Sequence, residues 1–260
     1  AVMGIEHPDV IEFINCKRHE GDISNFNISV SISDGFMHAL RHNRTHYFVN
    51  PRTGSTCGEI KAVELFDMIV DNAWYNGEPG VIFIDEINRH NPTPHVGMMY
   101  ATNPCGEQPL LPNEACNLGS INLSNFVTDR QFDFERLQGI VCLATRFLDN
   151  VVEMNRYPTP AIETLCKANR KIGLGVMGFA DALIKMGIDY DSEQALTVGS
   201  KIMRFVNEHA INESERLADE KGVFPNYYGS LWHTTRARRV RNATLTTVAP
   251  TGTLSLIANC

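Results

Sequence analysis

The sequence predicts an α/β fold, because segments typical of strands alternate along the chain with segments typical of helices. The last segment, "ATLTTVAPTGTLSLIA" (243–258), reads as a β-branched strand, a Pro/Gly turn and the start of an apolar helix. An apolar run of strand length, "VIFI" (81–84), follows a long amphipathic segment and is typical of a buried parallel strand. We therefore expect an α/β protein with much parallel sheet.

Capping residues and apolar periodicity predict the elements that precede the strand at 81–84. Pro8 and Gly21 bracket a predicted helix in "DVIEFINCKRHEG" (9–21), and "FNISVSI" (26–32) alternates like a strand. A broad apolar face predicts a helix over 59–77, ended by Gly77 and Pro79.

Two longer helices are predicted in the second half. Apolar residues recur at helical spacing over 133–155, and a further helix is expected from Asp191 or Ser192 to Gly222. No internal repeat, low-complexity tract or long linker divides the chain. We expect residues 1–260 to form a single domain that is incomplete, since the chain opens on "AVMGIEHPDV" without a Met and closes inside an apolar run.

Composition excludes several classes of protein. The net charge of -7 argues against a general duplex-binding surface, and the basic cluster "TTRARRVRN" (234–242) suits a solvated turn or a small-anion site better. No apolar run approaches the roughly 20 residues of a membrane span, so we expect a soluble protein without a membrane partner. Seven cysteines without a CxxC pair or a secretory segment indicate a reducing cytoplasm and no metal site.

One motif suggests nucleotide hydrolysis. "VIFIDEIN" (81–88) resembles the strand of an ATPase that ends in carboxylates holding magnesium, here Asp85 and Glu86. Such a site also needs a GxxxxGK[ST] loop, and the nearest candidate, "RTGSTCGEIK" (52–61), has neither the glycine spacing nor the Lys. A fragment of a P-loop-type ATPase remains an alternative, which predicts magnesium-dependent nucleotide binding through Asp85. The second alternative is a non-catalytic α/β binding module whose cysteines are incidental.

A second motif, "GLGVMG" (173–178), matches the GxGxxG pattern of dinucleotide sites. Such a site requires a buried strand just before the glycines, whereas "LCKANRKI" precedes them and is charged and helix-like. Glycines that allow close backbone packing are the better interpretation.

The strongest chemical signal is Cys105. Pro104 and Gly106 flank it, so a loop tip is expected. In an extended loop Asn103, Cys105 and Glu107 would point the same way and converge on one small polar substrate. Because a neighbouring carboxylate disfavours a thiolate, radical chemistry through a neutral S–H suits this thiol better than nucleophilic attack.

This stretch, "NPCGEQPLLPNEACNLGSINLS" (103–124), closely resembles the catalytic segment of ribonucleotide reductase large subunits, in particular the adenosylcobalamin-dependent class II form. Three further segments resemble the same family in the same order: "HPDVIEFINCKRHEGDISNFNISVSI", "KANRKIGLGVMGFADAL" and "APTGTLSLIA". The glycyl-radical class resembles this site without the glutamate, so Glu107 favours the cobalamin class.

The resemblance implies part of a ten-stranded α/β barrel with a central finger loop that carries Cys105. It implies reduction of ribonucleotides to 2'-deoxyribonucleotides for DNA precursor synthesis, with adenosylcobalamin as the radical source. Cys105 would become a thiyl and remove the 3' hydrogen, Glu107 would act as base on the 3' hydroxyl, and Asn103 would orient the ribose. Cys116 matches one of two reducing cysteines that form a disulfide, its partner lying upstream of this chain.

The resemblance implies a ligand for the turn after the last predicted strand, "APTGTLS" (249–255). On its own it could be a phosphate cradle or an ordinary strand-to-helix turn. In the family the matching turn binds the substrate phosphates, which assigns that role to Pro250, Thr251, Gly252, Thr253, Leu254 and Ser255.

The family also implies partners outside this chain. They are a ribonucleoside di- or triphosphate substrate, a thioredoxin- or glutaredoxin-type reductant, and dNTP or ATP effectors that act through missing regions. The family resemblance also allows a homodimer. We expect the chain alone to be inactive. Cys16, Cys57, Cys142 and Cys166 match no functional position and are interpreted as structural, and Cys260 is left without a role.

Overall fold

The computed structural model describes residues 1–19, 21 and 23–260, and it confirms a mixed α/β fold. The chain divides into two compact units, which are treated separately below. The first comprises Ala1–Asn91 and Met98–Pro112, and the second Pro92–Gly97 and Asn113–Cys260. The single incomplete barrel domain stays a prediction beside this division.

The first unit contains seven strands and four helices among its described residues. In chain order they are β1 (Val2–Gly4), α1 (Val10–Asn15), β2 (Ser29–Ile32), α2 (Asp34–Arg41), β3 (Thr45–Val49), β4 (Thr56–Lys61), α3 (Ala62–Asn76), β5 (Gly80–Phe83), α4 (Ile84–Arg89), β6 (Ala101–Thr102) and β7 (Pro109–Leu110).

A parallel sheet of order β1-β2-β5 organises this unit. Its central strand β2 supplies Val30 and Ile32, both almost fully buried, against Ile5, Phe36 and Leu65. Strands β3 and β4 form an antiparallel pair, and so do β6 and β7.

The second unit contains two short 3-10 helices and the longest α-helices. In chain order it comprises β8 (Asn117–Asn122), a 3-10 helix (Leu123–Phe126), β9 (Val127–Thr128), β10 (Gln131–Phe132), α5 (Phe134–Met154), α6 (Pro160–Asn169), β11 (Ile172–Met177), α7 (Phe179–Met186), α8 (Glu193–Lys221), a 3-10 helix (Pro225–Tyr227), α9 (Leu231–Thr234) and α10 (Gly252–Ala258).

Strands β8 and β11 pair in parallel, from Asn117 opposite Ile172 to Asn122 opposite Met177. Helices α5 and α8 pack against each other and enclose a core with these strands. Leu137, Val141 and Val206 are fully buried there.

The long helices of the second unit confirm the sequence predictions closely. Helix α8 begins after Ser192, whose hydroxyl accepts a hydrogen bond from the Ala195 N–H at 3.1 Å, and Gly222 caps its end. Helix α5 begins after Asp133, whose carboxylate accepts from the Arg136 N–H. Both starts use the side-chain capping expected of Ser and Asp.

Three predicted elements of the first unit differ from the structure. Helix α1 ends at Asn15, whose side-chain amide donates to the Ile11 carbonyl, rather than near Gly21; Glu20 and Asp22 lie outside the described residues. The helix predicted from residue 59 begins at Ala62, because residues 56–61 pair with β3.

The third difference is strand β5, which was predicted to be buried. Its Val81 and Phe83 are 42% and 49% exposed, because β5 is an edge strand of its sheet. In the second unit, the β-branched strand predicted at the start of 243–258 is an extended segment with an isolated bridge from Thr246 to Leu174 of β11.

Within the described part of the chain the strands form five small sheets and do not close into a barrel. The α/β class and the parallel pairing are thus confirmed, whereas the ten-stranded barrel and its finger loop remain predictions. None of the described helices is both long enough and apolar enough to cross a membrane.

Candidate active site

Cys105 lies at the exposed tip of a short hairpin, as the flanking Pro and Gly predicted. Strands β6 and β7 pair with Thr102 opposite Pro109, which leaves residues 103–108 as the loop. The Gly106 N–H donates to the Asn103 carbonyl at 3.1 Å and closes a β-turn. Pro104 occupies the second position of that turn, where its fixed φ is favourable.

The loop is therefore a tight turn, and the extended geometry expected for residues 103–107 is wrong. Gly106 adopts φ +86°, a backbone conformation that favours glycine. The thiol of Cys105 is presented by the corner of the turn rather than by alternation along a strand.

Asn103 braces the same loop. Its Oδ1 accepts the Gln108 N–H at 2.9 Å, and its backbone N–H donates to the Gln108 carbonyl at 3.1 Å. Gln108 is buried, whereas Glu107 is half-buried next to the exposed Cys105. Asn103, Cys105 and Glu107 thus belong to one rigid loop of six residues, and their joint action on a substrate remains a prediction.

A cavity of about 440 Å³ lies beside the loop within the first unit. Its lining includes Asn103, Thr102, Phe26, Asn27 and Ser29. Cavities of this size hold small organic ligands. The lining combines one aromatic residue with amide and hydroxyl side chains.

Cys116 lies in the second unit, immediately before β8. Its side chain is half-buried, and its thiol donates weakly to the Asn117 carbonyl at 3.4 Å. A small cavity of about 70 Å³ is lined by Cys116 and also by Cys166, Tyr157 and Lys171. The cavity leaves space beside the thiol.

The turn at 250–255 has the form that the sequence predicted. Thr251 adopts φ +55° and is the N-cap of α10, but its side chain makes no capping hydrogen bond. The Ser255 N–H donates to the Thr251 carbonyl at 2.7 Å, so it closes the first helical turn. The N–H groups of Gly252, Thr253 and Leu254 precede any intrahelical partner and lie at the surface.

Comparison with known proteins gives these features a context. All 260 residues match the family model described as "Ribonucleotide reductase, barrel domain". The chain belongs to this family. It is 51% identical, over its whole length, to the vitamin B12-dependent ribonucleoside-diphosphate reductase of Thermoplasma acidophilum, of which it covers 34%.

Other relatives support the same assignment. The chain is 47% identical over 99% of its length to the vitamin B12-dependent ribonucleoside-diphosphate reductase of Mycobacterium tuberculosis, and covers 37% of that protein. It is 35% identical over 67% of its length to the ribonucleoside-diphosphate reductase subunit alpha of Chlamydia pneumoniae. The chain thus spans about a third of the length of these two B12-dependent relatives.

Membership of the reductase barrel family leaves the ATPase and binding-module alternatives without support. In the structure, the carboxylates of "VIFIDEIN" make local contacts. The Asp85 carboxylate accepts the backbone N–H of Asp34 at 2.7 Å, at the start of α2. Glu86 pairs with Arg89 and His90, and the Arg89 and His90 contacts lower the pKa of its carboxyl. These carboxylates stabilise helix ends on the surface of the first unit.

In this member of the reductase family the glycines of "GLGVMG" serve close packing. They lie mostly within β11 rather than after it. A Cβ on Gly175 would lie 2.5 Å from the Thr247 carbonyl oxygen, and one on Gly178 would lie 2.4 Å from the Asn122 side-chain oxygen. A Cβ at Gly175 would thus force backbone to move, and one at Gly178 would force the Asn122 side chain to move and strain a φ of +67°.

The basic cluster of this reductase domain is largely neutralised by its own chain. Arg238 pairs with Glu215 at 2.6 Å, and Arg239 lies 3.6 Å from Asp219, both acidic residues being on α8. The guanidinium of Arg236 stacks over the Trp232 ring instead. The cluster is better described as a salt-bridged surface than as an anion site.

No group of three or more His, Cys, Asp or Glu side chains that could hold a metal is found among the described residues. Within that part of the chain, the one feature that bears on adenosylcobalamin is the exposure of the Cys105 thiol at a loop tip, since a thiol is the group that a cofactor-derived radical would oxidise.

Two features around these cysteines were missed from the sequence. The Asn27 side-chain amide donates to the Pro104 carbonyl at 3.4 Å, across 77 residues of sequence. Glu114 and Lys171 form an ion pair of 2.6 Å with both side chains fully buried, close to Cys116. The polar "NEAC" context was the available signal for Glu114, but its partner could not be read from sequence.

Proposed function

We propose that this chain is part of the catalytic barrel of an adenosylcobalamin-dependent ribonucleotide reductase, which converts ribonucleoside diphosphates to 2'-deoxyribonucleotides for DNA synthesis. The observation that carries the proposal is the exposed Cys105 thiol on a turn braced by Asn103, in a chain that is 51% identical to a B12-dependent reductase. In the complete barrel of ten strands this hairpin is the central finger loop.

The chemistry begins with loss of a hydrogen atom from the Cys105 S–H. Adenosylcobalamin, when bound, supplies the radical that takes this atom. The resulting thiyl removes the 3' hydrogen of the ribose, while the Glu107 carboxylate accepts the proton of the 3' hydroxyl. The 2' hydroxyl takes a proton from one of the two reducing thiols and leaves as water, and the Cys105 S–H returns a hydrogen atom to C3' at the end of the cycle.

Two electrons are needed for each ribose, and Cys116 with a second cysteine provides them. Both thiols lose hydrogen and a disulfide forms, which a thioredoxin- or glutaredoxin-type dithiol re-reduces. Because the relatives are about three times longer than this chain, we infer that it is inactive alone. Effector nucleotides and any second subunit bind through other parts of the protein.

Two features position the substrate. Asn103 keeps its Oδ1 bonded to the Gln108 N–H, so its Nδ2 is the group left to donate to a ribose hydroxyl. The turn Pro250–Ser255 binds the phosphates through the N–H groups of Gly252, Thr253 and Leu254 and the hydroxyls of Thr251 and Thr253. The surface exposure of these groups and the family match support this role.

Hydrogen-isotope exchange between labelled adenosylcobalamin and solvent, measured on the full-length protein, tests the proposal. We expect wild-type protein to exchange and Cys105→Ser to lose exchange, because a serine O–H is too strong a bond to serve as the carrier. Cys57→Ser, which changes another exposed cysteine on β4, is the matched control and should exchange normally. Undiminished exchange in Cys105→Ser would refute the thiyl assignment.

A further inference from the structure

The residues on either side of Cys116 are held by hydrogen bonds and an ion pair to distant segments of the second unit. Before it, both carboxylate oxygens of Glu114 are engaged: Oε2 with the Lys171 ammonium at 2.6 Å and Oε1 with the Asn169 amide at 2.6 Å. After it, Asn117 begins the pairing of β8 with β11 opposite Ile172, and its amide donates to the Leu148 carbonyl at 2.9 Å.

The ion pair itself is buried completely. The side chains of Glu114 and Lys171 have no exposed surface, and Asn169 is also fully buried. Asn169 in turn accepts a hydrogen bond from the Asn226 amide at 2.8 Å, which ties the cluster to the 3-10 helix after α8. Desolvating two charges largely cancels their attraction, so such a pair is a weak source of stability and a strong constraint on geometry.

The Cys166 thiol holds the residue between Glu114 and Cys116. The Cys166 Sγ of α6 accepts the Ala115 N–H at 3.2 Å, and burial raises the pKa of this thiol, which keeps it neutral. Ala115 is the residue between Glu114 and Cys116. The chain is therefore fixed at 114, 115 and 117, while the Cys116 thiol lines a cavity of about 70 Å³.

We propose that the buried Lys171–Glu114 pair, together with Cys166, positions the Cys116 thiol for disulfide chemistry. The thiol must meet a second sulfur at bonding distance and in a narrow range of dihedral angles, so a mobile strand entry would slow the step. Lys171, Glu114 and Cys166 are positioning residues, since they act through the backbone on either side of Cys116. The catalytic consequence rests on the proposed function, but the positioning itself does not.

Alkylation of Cys116 by iodoacetamide, followed by peptide mass spectrometry on the reduced full-length protein, reads out the positioning directly. In Lys171→Met/Glu114→Gln, which removes both charges and keeps the Asn169 bond, we expect Cys116 to react faster, on the order of tenfold, because its backbone is released. Cys57 in the same sample should be unchanged. An unchanged Cys116 rate would overturn the proposal.

Two further comparisons separate positioning from a general loss of structure. Lys167→Met/Glu163→Gln removes an exposed ion pair of 2.8 Å on α6, the helix that carries Cys166, and should leave the alkylation rate of Cys116 unchanged. Cys166→Ala, which leaves the buried charges intact, should accelerate Cys116 alkylation, and Cys166→Ser should restore the wild-type rate by accepting the Ala115 N–H. Equal rates for the Ala and Ser variants would contradict the role of Cys166.

Activity gives a second readout. In pre-reduced protein without external reductant, the Lys171→Met/Glu114→Gln variant should form deoxyribonucleotide more slowly by about tenfold or more, with isotope exchange at Cys105 preserved. A parallel loss of exchange and product would mean that the pair only maintains the fold, against the proposal. If wild-type protein neither exchanges nor reduces, the proposed function fails, and alkylation still decides the positioning.

Discussion

Asp149 is a buried carboxylate on α5 that organises cations from three other segments. Its Oδ1 accepts from Arg170 Nε and from the Asn242 amide, each at 3.0 Å. Lys221 and Arg241 lie 3.6 and 3.7 Å from its Oδ2. Burial lowers the pKa of the Arg241 guanidinium. One carboxylate thus ties the end of helix α8 to the segment that leads to the turn at Pro250.

Asp149→Ala should be strongly destabilising, because it leaves the buried Arg170 without its main counter-charge. We expect a loss of about 3 to 5 kcal/mol in the free energy of unfolding, measured by denaturant titration. Asp219→Ala, which removes the exposed partner of Arg239, is the control and should change little. Similar losses in the two variants would show that burial does not decide the effect.

At the loop that carries Cys105, the sequence singled out three residues but did not give their geometry. Asn103, Cys105 and Glu107 stand out because polar groups crowd a thiol between Pro and Gly. The turn that presents the thiol depends on a bond between Asn103 and Gln108 and on the distant Asn27, and such contacts cannot be read from local pattern.

Among the elements, β11 and the extended segment after Ala243 are set by glycine. Gly175 allows the Thr247 carbonyl to approach so closely that a Cβ would lie 2.5 Å from it. The Thr247 N–H donates to the Leu174 carbonyl, so the two segments are joined at this point. This contact aligns the chain three residues before the turn at Pro250.

Gly175→Ala should therefore displace the segment at Thr247 and reduce stability by about 1 to 3 kcal/mol, since the clash is with backbone. Gly139→Ala, in the middle of α5 where a Cβ meets nothing within 4 Å, should instead stabilise by about 0.5 to 1 kcal/mol. Thermal unfolding of the two variants checks both signs. A neutral Gly175→Ala would mean that the Thr247 contact yields without cost.

The elements that were predicted well are those governed by local signals. Helix α8 follows from Ser192 and Gly222, which are its N-cap and C-cap residues. The start of α3 was misplaced because residues 59–61 continue the apolar pattern of the predicted helix, yet residues 56–61 pair with β3. The exposure of β5 likewise depends on its place at the edge of a sheet, which only the tertiary fold decides.

For the whole molecule, the alternation of strand and helix segments gave the α/β class and the family resemblance gave the barrel family. The structure then showed how the charged side chains are paired. The net charge of -7 coexists with a basic cluster because α8 carries the opposing carboxylates, Glu215 and Asp219. Sequence counting could not show this pairing, since the partners lie about 20 residues away and meet only through folding.

Stability of the whole molecule should fall in mild alkali. Burial raises the pKa of Cys16, Cys142, Cys166 and Tyr157, desolvation being the largest cause in each case. An unfolded thiol loses its proton near pH 8.5, whereas these folded thiols keep theirs to higher pH. Between the two values the unfolded state binds fewer protons, so stability is complete below about pH 8 and decreases as pH rises through the folded pKa values.

Thermal midpoints measured from pH 7 to pH 10 test this dependence. We expect a level region to about pH 8 and a decline above it. In Cys142→Ser/Cys166→Ser the decline should be shallower, because a serine hydroxyl does not titrate in this range, even though the midpoint at pH 7 is lower. Cys57→Ser should retain the wild-type slope, since that thiol is exposed. Equal slopes in all three proteins would place the alkaline sensitivity elsewhere than in the buried thiols.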